Sequence, residues 1–261
     1  MLEIKGGCFG YIKGEDILRD ISFSLEDGKI MTVLGQNGIG KTTLLKCIAG
    51  ILKWTKGNAF IDGNKIRETK DIKGLGYVPQ AHPMSFSYTV RQIVMMGRAS
   101  FIHTFAIPSL KDKEIVEDAM KEVGIAELAD RPCNTLSGGQ IQLAFIARAL
   151  VSDPKIMILD EPESHLDFKN QFLILKLIED LSRKKKMSCI INTHFPEHAL
   201  LISDKTLILG REKYIFGNTE EIVTEKNIAD FFDIRARIID VPDTQGHRKA
   251  FVVTDVIKDR V

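Results

Sequence analysis

The sequence has little of several features that would point to a particular compartment or partner. Its four cysteines form no C-x-x-C pair, which argues against a zinc site or a redox dithiol and favours reduced thiols. Thirty-six basic and 35 acidic residues leave a formal net charge of +1, so the chain as a whole does not attract nucleic acid. We therefore expect no nucleic-acid partner.

Long hydrophobic runs are also missing. No stretch reaches the roughly 18 unbroken apolar residues that a membrane-spanning helix needs. The first residues, MLEIKGGCFGYIKG, lack the apolar segment of a secretory signal. If the protein serves a membrane, we expect it to do so peripherally, from the cytoplasmic face. With 261 residues, 44% of them hydrophobic, the chain can bury one core with room for a small addition.

Short apolar runs alternate with longer helical patterns along the chain. The strand-like runs lie at residues 31–34, 156–159, 190–191, 207–209 and 214–216. This alternation predicts an α/β fold with a mostly parallel sheet and helices on both faces. Catalytic loops in such folds lie at the carboxyl ends of the strands, and the informative residues of this chain follow those ends.

The helical patterns suggest a division of the chain. Residues 89–96 and 112–123 predict amphipathic helices, which we assign to a helical subdomain at roughly residues 81–150. The run SRKKK at 182–186 predicts a solvated loop. Residues 219–232 predict a helix, followed by strands at 236–241 and 250–256 around a turn at 243–246. We therefore expect a main domain, residues 1–217, and a C-terminal α/β appendage, residues 218–261.

A phosphate-binding loop stands near the N-terminus. Residues 35–42 read GQNGIGKT and match G-x-x-x-x-G-K-[ST]. The glycines allow a tight turn that aims backbone N–H groups at phosphates, and the following helix adds its positive N-terminal end. Lys41 can reach the β and γ phosphates, and Thr42 can place its hydroxyl on magnesium. The loop follows a strand and precedes a helical pattern, which makes a chance glycine-rich turn the weaker interpretation.

An apolar strand ending in two carboxylates follows downstream, where residues 156–161 read IMILDE. Asp160 can hold magnesium, directly or through water, and Glu161 can orient and polarise the attacking water. Many core strands end in acids, so this feature alone is weak. Downstream of a phosphate-binding loop it becomes a strong indication of nucleotide hydrolysis.

A third motif, LSGGQ at residues 136–140, lies shortly before the acidic strand. Ser137 can cap a helix whose N-terminal amides, with Gly138 and Gly139, suit an anion. An ordinary serine N-cap would explain LSGG by itself. In this position, however, the motif resembles the signature of ATP-binding-cassette ATPases, and the resemblance extends from about residue 4 to residue 256.

The resemblance implies a P-loop NTPase fold of the cassette type, in which a mostly parallel sheet is joined by an antiparallel β subdomain and a helical signature subdomain. It implies ATP and Mg²⁺ as cofactors, and a dimer that holds each ATP between two copies. Implied ATP contacts are Tyr11, Gly35, Asn37, Gly38, Gly40, Lys41, Thr42, Thr43, Ser137, Gly138, Gly139, Gln140 and Asp167. Implied magnesium contacts are Thr42, Gln80 and Asp160, and implied catalytic residues are Lys41, Gln80, Glu161 and His194. Phe9 is an alternative to Tyr11 for stacking on adenine.

Three further segments resemble the ATPases of metal-chelate importers, which serve iron–siderophore, haem, cobalamin and sometimes molybdate uptake. They are MGR at 96–98, SHLDFKNQ at 164–171 and THFPEHAL at 193–200. This resemblance implies a second ATPase subunit, most simply an identical copy, a polytopic membrane permease, and an external solute-binding protein acting through the permease. It also implies a permease-binding groove in residues 81–109, with apolar side chains at Met84, Phe86, Tyr88, Phe101 and Phe105.

Other functions remain as alternatives. They are a cassette ATPase of another importer or an exporter, for zinc, manganese or molybdate, and a non-transport cassette ATPase. The absence of sustained heptads argues against the DNA-repair type, and the single cassette argues against the translation type. LSGGQ and His194 argue against a P-loop GTPase or kinase. One departure from the family is Glu163, which replaces the usual Thr or Ser; it either alters magnesium affinity or loop packing, or is solvated.

Overall fold

The computed structural model describes residues 1–66, 74–81, 87–103, 106–243 and 246–257. The chain divides into two compact units: Met1–Ile72 together with Ser188–Val261, and Lys73–Met187. Within the described ranges, no helix is long and apolar enough to cross a membrane. The division into residues 1–217 and 218–261, with a helical subdomain at 81–150, stays a prediction.

The first unit contains an antiparallel sheet with strand order β2-β1-β4-β5. Its strands are β1 (Leu2–Phe9), β2 (Leu18–Leu25), β4 (Lys56–Ile61) and β5 (Asn64–Ile66). Buried residues alternate with more exposed ones along β1, so the sheet buries one face. The expected antiparallel β subdomain is therefore present.

The same unit contains four strands of a mostly parallel sheet in the order β10-β9-β3-β8. They are β3 (Ile30–Leu34), β8 (Ser188–Asn192), β9 (Lys205–Leu209) and β10 (Tyr214–Asn218). β3 is parallel to β8 and β9, whereas β10 is antiparallel to β9. All residues of β3 and β8 are buried, as expected for strands covered on both faces. Helices α1 (Lys41–Ile48) and α6 (Pro196–Ile202) follow β3 and β8 along the chain.

The C-terminal part of this unit differs from its prediction in one respect. The single helix expected at 219–232 is wrong, because the chain forms α7 (Thr219–Ile222) and α8 (Glu225–Phe232). Thr224 starts α8 as its N-cap and accepts a hydrogen bond from Asn227 N at 3.2 Å. Strands β11 (Ile234–Asp243) and β12 (Gly246–Val256) then form an antiparallel ribbon, as predicted. Residues 244–245 of the expected turn lie outside the described residues.

The second unit pairs two parallel strands with a group of helices. Strand β6 (Leu75–Val78) is parallel to β7 (Ile156–Asp160). Its helices are α2 (Val90–Met96), α3 (Leu110–Glu122), α4 (Gly138–Leu150) and α5 (Phe168–Lys185). Helices α2, α3 and α4 contact one another. The predicted mostly parallel α/β fold and the two predicted helices are confirmed.

The charged run at 182–186 was assigned to the wrong structure. Residues 182–185 form the last turn of α5, and Lys186 ends the helix in a left-handed conformation. Ser182 is fully buried, and its hydroxyl donates to Met187 O at 2.7 Å. The helical spacing of buried residues continues into this charged run. Basic residues also favour the negative C-terminal end of a helix.

The four cysteines Cys8, Cys47, Cys133 and Cys189 are free thiols, as predicted. Cys47, Cys133 and Cys189 are buried, and Cys8 is partly buried. Burial raises the pKa of Cys47 to about 12, which keeps this thiol protonated at neutral pH.

Candidate active site

The phosphate-binding loop connects β3 to α1 in the first unit. Gly35, Gly38 and Gly40 adopt φ values of 151°, 76° and 108°. A side chain at Gly35 would also meet the carbonyl oxygen of Leu209, 2.6 Å from its Cβ. Gly40 is the N-cap of α1, and no side chain caps this helix start. The sequence therefore places glycine where the loop must turn tightly and expose its backbone.

Lys41, the first residue of α1, is held inside this loop. Its side chain is only 5% exposed. Its Nζ donates to Gly35 O at 2.8 Å and to Gln36 O at 2.9 Å, and lies 3.2 Å from His194 Nδ1. The loop and His194, two residues after the end of β8, thus contact the same ammonium group. Two of the predicted catalytic residues, Lys41 and His194, are in contact.

The two aromatic candidates for the adenine contact differ in exposure. Phe9 is 7% exposed, whereas Tyr11 is 62% exposed. Their rings pack edge to face with centroids 5.0 Å apart. The Tyr11 hydroxyl lies 3.3 Å from Thr43 Oγ1 in α1. Tyr11 therefore presents its ring to solvent beside the loop helix, which favours it over Phe9 as the base-stacking residue.

In the second unit, the end of β7 carries the first of the two acids. Asp160 is 4% exposed, and its Oδ2 accepts a hydrogen bond from the Tyr77 hydroxyl at 3.1 Å. Burial, then the charge of Asp160 and this hydrogen bond, raise the pKa of Tyr77 above its ordinary value. Tyr77 therefore stays protonated and donates, which fixes one carboxylate oxygen of Asp160.

Glu161, the second acid, is held by two side chains. Gln80 Nε2 donates to Glu161 Oε2 at 3.1 Å, and Ser164 Oγ donates to the same oxygen at 2.8 Å. Glu161 has a φ of 49°, a left-handed conformation that is uncommon for a residue with a side chain. Such strained residues cluster at active sites. The structure thus brings together two more predicted site residues, Gln80 and Glu161.

The signature motif and the segment around Asp167 lie side by side at the starts of α4 and α5. Ser137 and Gln140 form a reciprocal capping box at the start of α4. Asp167 caps α5 and accepts from Asn170 N at 2.8 Å. A Cβ at Gly139 would lie 3.5 Å from the Asn170 side chain. The absence of a side chain at Gly139 therefore lets the two helix starts approach closely.

Two residues that orient the acids were missed in the sequence. Tyr77 and Ser164 hold Asp160 and Glu161, respectively. Tyr77 could have been found, because a tyrosine in a short apolar strand needs a partner for its hydroxyl. Ser164 carried no such signal. Glu163 is 1% exposed, so the interpretation of a solvated side chain is wrong.

The side chains present suit a magnesium ion. Among the residues that the structure describes, no cluster of three His, Cys, Asp or Glu side chains is able to hold a metal ion. Magnesium instead binds one or two carboxylates together with substrate phosphates and water. The buried, oriented carboxylate of Asp160 and the hydroxyl of Thr42 are oxygen ligands of this type.

Comparison with known proteins agrees with this arrangement. The family model described as "ABC transporter" matches residues 18–164. The molybdate import ATP-binding protein MolC of Haemophilus influenzae is 38% identical over 86% of this chain and 85% of its own. The iron(3+)-hydroxamate import ATP-binding protein FhuC of Bacillus subtilis is 33% identical over 93% of this chain and 91% of its own.

A solved structure extends the likeness to three dimensions. A chain described as part of a metal-chelate type ABC transporter, in an inward-facing conformation, superposes with a TM-score of 0.88. It is 34% identical, and the match covers 97% of this chain and 96% of that one. The chain therefore belongs to the ABC transporter family, as an ATPase that binds and hydrolyses ATP.

Proposed function

We propose that this protein is the ATPase subunit that drives import of a metal chelate through a separate membrane permease. The observation that carries the proposal is a likeness, over nearly the whole chain, to subunits named for molybdate and iron-hydroxamate import. The solved structure described as a metal-chelate type transporter supports the same class. The protein would then act peripherally, on the cytoplasmic face of the membrane.

The geometry supports a division of roles within each unit. Lys41, held by loop carbonyls, is placed to exchange those contacts for the β and γ phosphates. Glu161, oriented by Gln80 and Ser164, is placed to polarise the attacking water. Magnesium, for which the family resemblance implies contacts with Thr42, Gln80 and Asp160, would neutralise charge developing on the phosphates. His194, which contacts Lys41, would contact the γ-phosphate.

ABC ATPases work with a membrane permease and dimerise. For this chain we propose a dimer of identical copies, in which residues 137–140 and Asp167 of one copy complete the ATP site of the other. The adjacent, capped starts of α4 and α5 support this proposal, because they offer two positive helix ends on one surface. Tyr11, Asn37, Gly38 and Thr43 would complete the contacts within one copy.

The permease contact is proposed at a groove between α2 and α3, which we call the α2–α3 groove. Its volume is about 1020 Å³. Apolar lining residues are Tyr88, Met95, Met96, Ile102 and Val116, and charged ones include Arg91, Lys113 and Glu117. Tyr88 and Met96 are 43% and 44% exposed, as in a surface that a partner covers. Phe101 is also exposed, whereas Met84, Phe86 and Phe105 lie outside the described residues.

The cargo is proposed at the level of a class. MolC is named for molybdate import and FhuC for iron(3+)-hydroxamate import. The relatives are therefore named for importing two kinds of cargo, an oxyanion and an iron chelate. An iron chelate is our first choice because the segments at 96–98, 164–171 and 193–200 resemble metal-chelate importers, which serve iron chelates and sometimes molybdate. Molybdate import is the second candidate, favoured by the 38% identity to MolC. In both cases an external solute-binding protein would deliver the cargo to the permease.

A reconstituted complex tests this proposal. The ATPase would be purified in detergent with its membrane subunit, placed in liposomes, and assayed with ferric hydroxamate and with molybdate. We expect Tyr88→Asp and Met96→Asp to abolish uptake and permease binding, because each places a charge in an apolar contact. ATP hydrolysis by the isolated subunit should stay within about twofold of wild type. Ile51→Asp is a matched control, since Ile51 is exposed but does not line the α2–α3 groove.

Three outcomes would contradict parts of the proposal. Uptake of neither cargo, with ATP hydrolysis intact, would argue against a metal-chelate importer. Normal uptake by both groove variants would move the permease contact elsewhere. A wild-type protein that fails to bind ATP at all would overturn the assignment of the active site.

A further inference from the structure

The C-terminal segment, residues 218–257, contacts the phosphate-binding loop through one side chain. Gln36 is the second residue of GQNGIGKT and is absent from the predicted ligands. Its Nε2 donates to Phe231 O at 3.1 Å and to Asp233 Oδ2 at 2.9 Å. Phe231 belongs to α8, and Asp233 is the residue that ends it. The loop is thereby joined to a helix almost 200 residues later in the chain.

The main chain of the same residue contacts the catalytic lysine. Gln36 O accepts a hydrogen bond from Lys41 Nζ at 2.9 Å, beside the bond from Nζ to Gly35 O. Gln36 therefore bridges α8, through its side chain, and Lys41, through its carbonyl. A shift of Gln36 would move an acceptor that orients the Lys41 ammonium group.

The position of the α8 end is itself well fixed. Asp233 has a φ of 57°, a left-handed helix end that suits Asp and Asn better than most residues. At the other end of α8, Glu225 accepts bonds from Ile238 N and from Arg237 Nη1, each at 3.1 Å. These bonds tie α8 to β11, so the C-terminal ribbon and α8 form one supporting element.

Packing supports the same connection independently of the hydrogen bonds. Phe231 is buried in one hydrophobic cluster with Leu34, the last residue of β3 before the loop. Ala236 of β11 belongs to this cluster, and Ile238 and Phe251 of the ribbon pack against it. The C-terminal segment therefore lies against the strand end from which the loop departs.

We propose that Gln36 is a positioning residue through which residues 218–257 hold the phosphate-binding loop in its ATP-binding shape. The inference rests on the proposed role of Lys41 in binding ATP. The physical reason is preorganisation: a loop already held in its binding shape loses less conformational freedom when ATP binds. Releasing the side chain of Gln36 should therefore weaken ATP binding more than it slows the chemical step.

Three substitutions test the contact directly. Gln36→Met keeps the side-chain length but removes the donor. Asp233→Gly removes the carboxylate acceptor and tolerates the φ of 57°, while leaving Phe231 O in place. Asp233→Asn keeps an acceptor and also tolerates the left-handed conformation, so it should rescue the function. Equilibrium binding of ATP, KM, kcat and the midpoint of thermal unfolding without nucleotide would be measured for each.

We expect Gln36→Met, which removes both hydrogen bonds of Nε2, to raise the Kd and KM for ATP by about 3- to 10-fold, with a smaller change in kcat. Asp233→Gly should raise both by less, and Asp233→Asn should stay near wild type. The double variant Gln36→Met with Asp233→Gly should be no worse than Gln36→Met, because Gln36→Met already removes the bond that Asp233→Gly removes. Asn227→Leu is the matched control: it removes the bond from Asn227 Nδ2 to Ile222 O, within the C-terminal segment.

The control separates support of the loop from support of the fold. Asn227→Leu should lower the unfolding midpoint but leave Kd and KM unchanged. If Gln36→Met and Asp233→Gly behave in the same way, the contact only stabilises the fold and the inference is overturned. If Gln36→Met does not fold, an unchanged Kd in Asp233→Gly would overturn it equally. Failure of the wild-type protein to bind ATP would instead overturn the proposed function on which the inference rests.

Discussion

Two helix starts in this protein are built differently, although both are assigned to phosphate. Helix α1 starts after Gly40, which has a φ of 108° and provides no side-chain cap. Helix α4 starts with Ser137, whose Oγ accepts from Gln140 N at 3.4 Å while Gln140 Oε1 accepts from Ser137 N at 3.0 Å. The first backbone N–H groups of a helix have no acceptor within the helix, so they need hydrogen-bond partners from outside it. The α4 start supplies its own partners, whereas the α1 start has no cap of this kind.

This difference bears on the order in which we expect the two helix starts to contact ATP. The loop before α1 turns at three glycines with positive φ, and Lys41, bound to its carbonyls, provides a positive charge. At the α4 start the Ser137 side chain already accepts from Gln140 N, but this bond is long at 3.4 Å and therefore weak. We infer that each copy binds ATP first at α1, and that the α4 start joins only when a second copy presents its nucleotide.

Glu161→Gln offers the largest expected effect and tests this order. Losing the general base should lower turnover by about 10²–10⁴-fold while ATP stays bound. Amide hydrogen exchange in the presence of ATP should then show protection at residues 41–45 at any protein concentration. Protection at residues 138–140 should appear only at concentrations where light scattering detects a dimer.

Two results would contradict this expectation. Protection of residues 138–140 in a monomer would mean that the α4 start binds ATP within its own copy. Turnover near the wild-type rate would remove Glu161 from its role, whichever copy the signature motif contacts.

Lys41→Ala should give the next largest effect, a loss of ATP affinity. We expect this loss to arise only from the contacts at the start of α1. Charge-assisted hydrogen bonds to phosphate are worth about 1.5–3 kcal/mol, so ATP affinity should fall by about 10- to 100-fold. Isothermal titration calorimetry with ATP would measure it. Lys46→Ala is the matched control, because it removes the same charge from the last turn of the same helix. Equal losses in both variants would show a general charge effect and would count against the phosphate-binding assignment of Lys41.

The starts of α1 and α4 also show what the sequence could predict. Glycine spacing, the apolar strand before the loop and the serine before a helical pattern are local signals. They correctly predict a helix after the loop and a helix capped by Ser137. The partners of Asp160 and Gln36 are not local: Tyr77 is 83 residues from Asp160, and Phe231 is 195 residues from Gln36. Such pairs are set by the packing of distant elements, so no local pattern in the sequence marks them.

Burial of polar residues is the second point on which the structure differs from the predictions made from the sequence. The run SRKKK was assigned to a loop because its charges favour water, yet the buried face of α5 continues through Leu181 and Ser182. For Glu163 a solvated side chain is one of two alternatives from the sequence, and the residue is 1% exposed. Polarity predicts exposure on average, but a helix or a turn next to a core places some polar residues inside.

The α4 start provides the last and smallest test, because a second serine cap in the same unit serves as its control. Ser109 starts α3 with a capping box like that of Ser137: it accepts from Asp112 N at 3.2 Å, and Ser109 N donates to Asp112 Oδ2 at 3.0 Å. Ser137→Ala and Ser109→Ala should each lower the free energy of unfolding by about 1 kcal/mol, the usual cost of losing an N-cap. Chemical denaturation of the nucleotide-free protein would measure these losses.

Only Ser137→Ala should also change catalysis. Its hydroxyl is proposed to contact the γ-phosphate on the second copy, so its loss should lower turnover by about tenfold and weaken ATP-dependent dimer formation. Ser109→Ala should keep the turnover of the isolated subunit, because α3 carries none of the proposed ATP contacts. Equal turnover losses in the two variants would mean that the Ser137 cap acts through stability alone. The α1 and α4 starts would then differ in function as well as in construction, with phosphate bound only at α1.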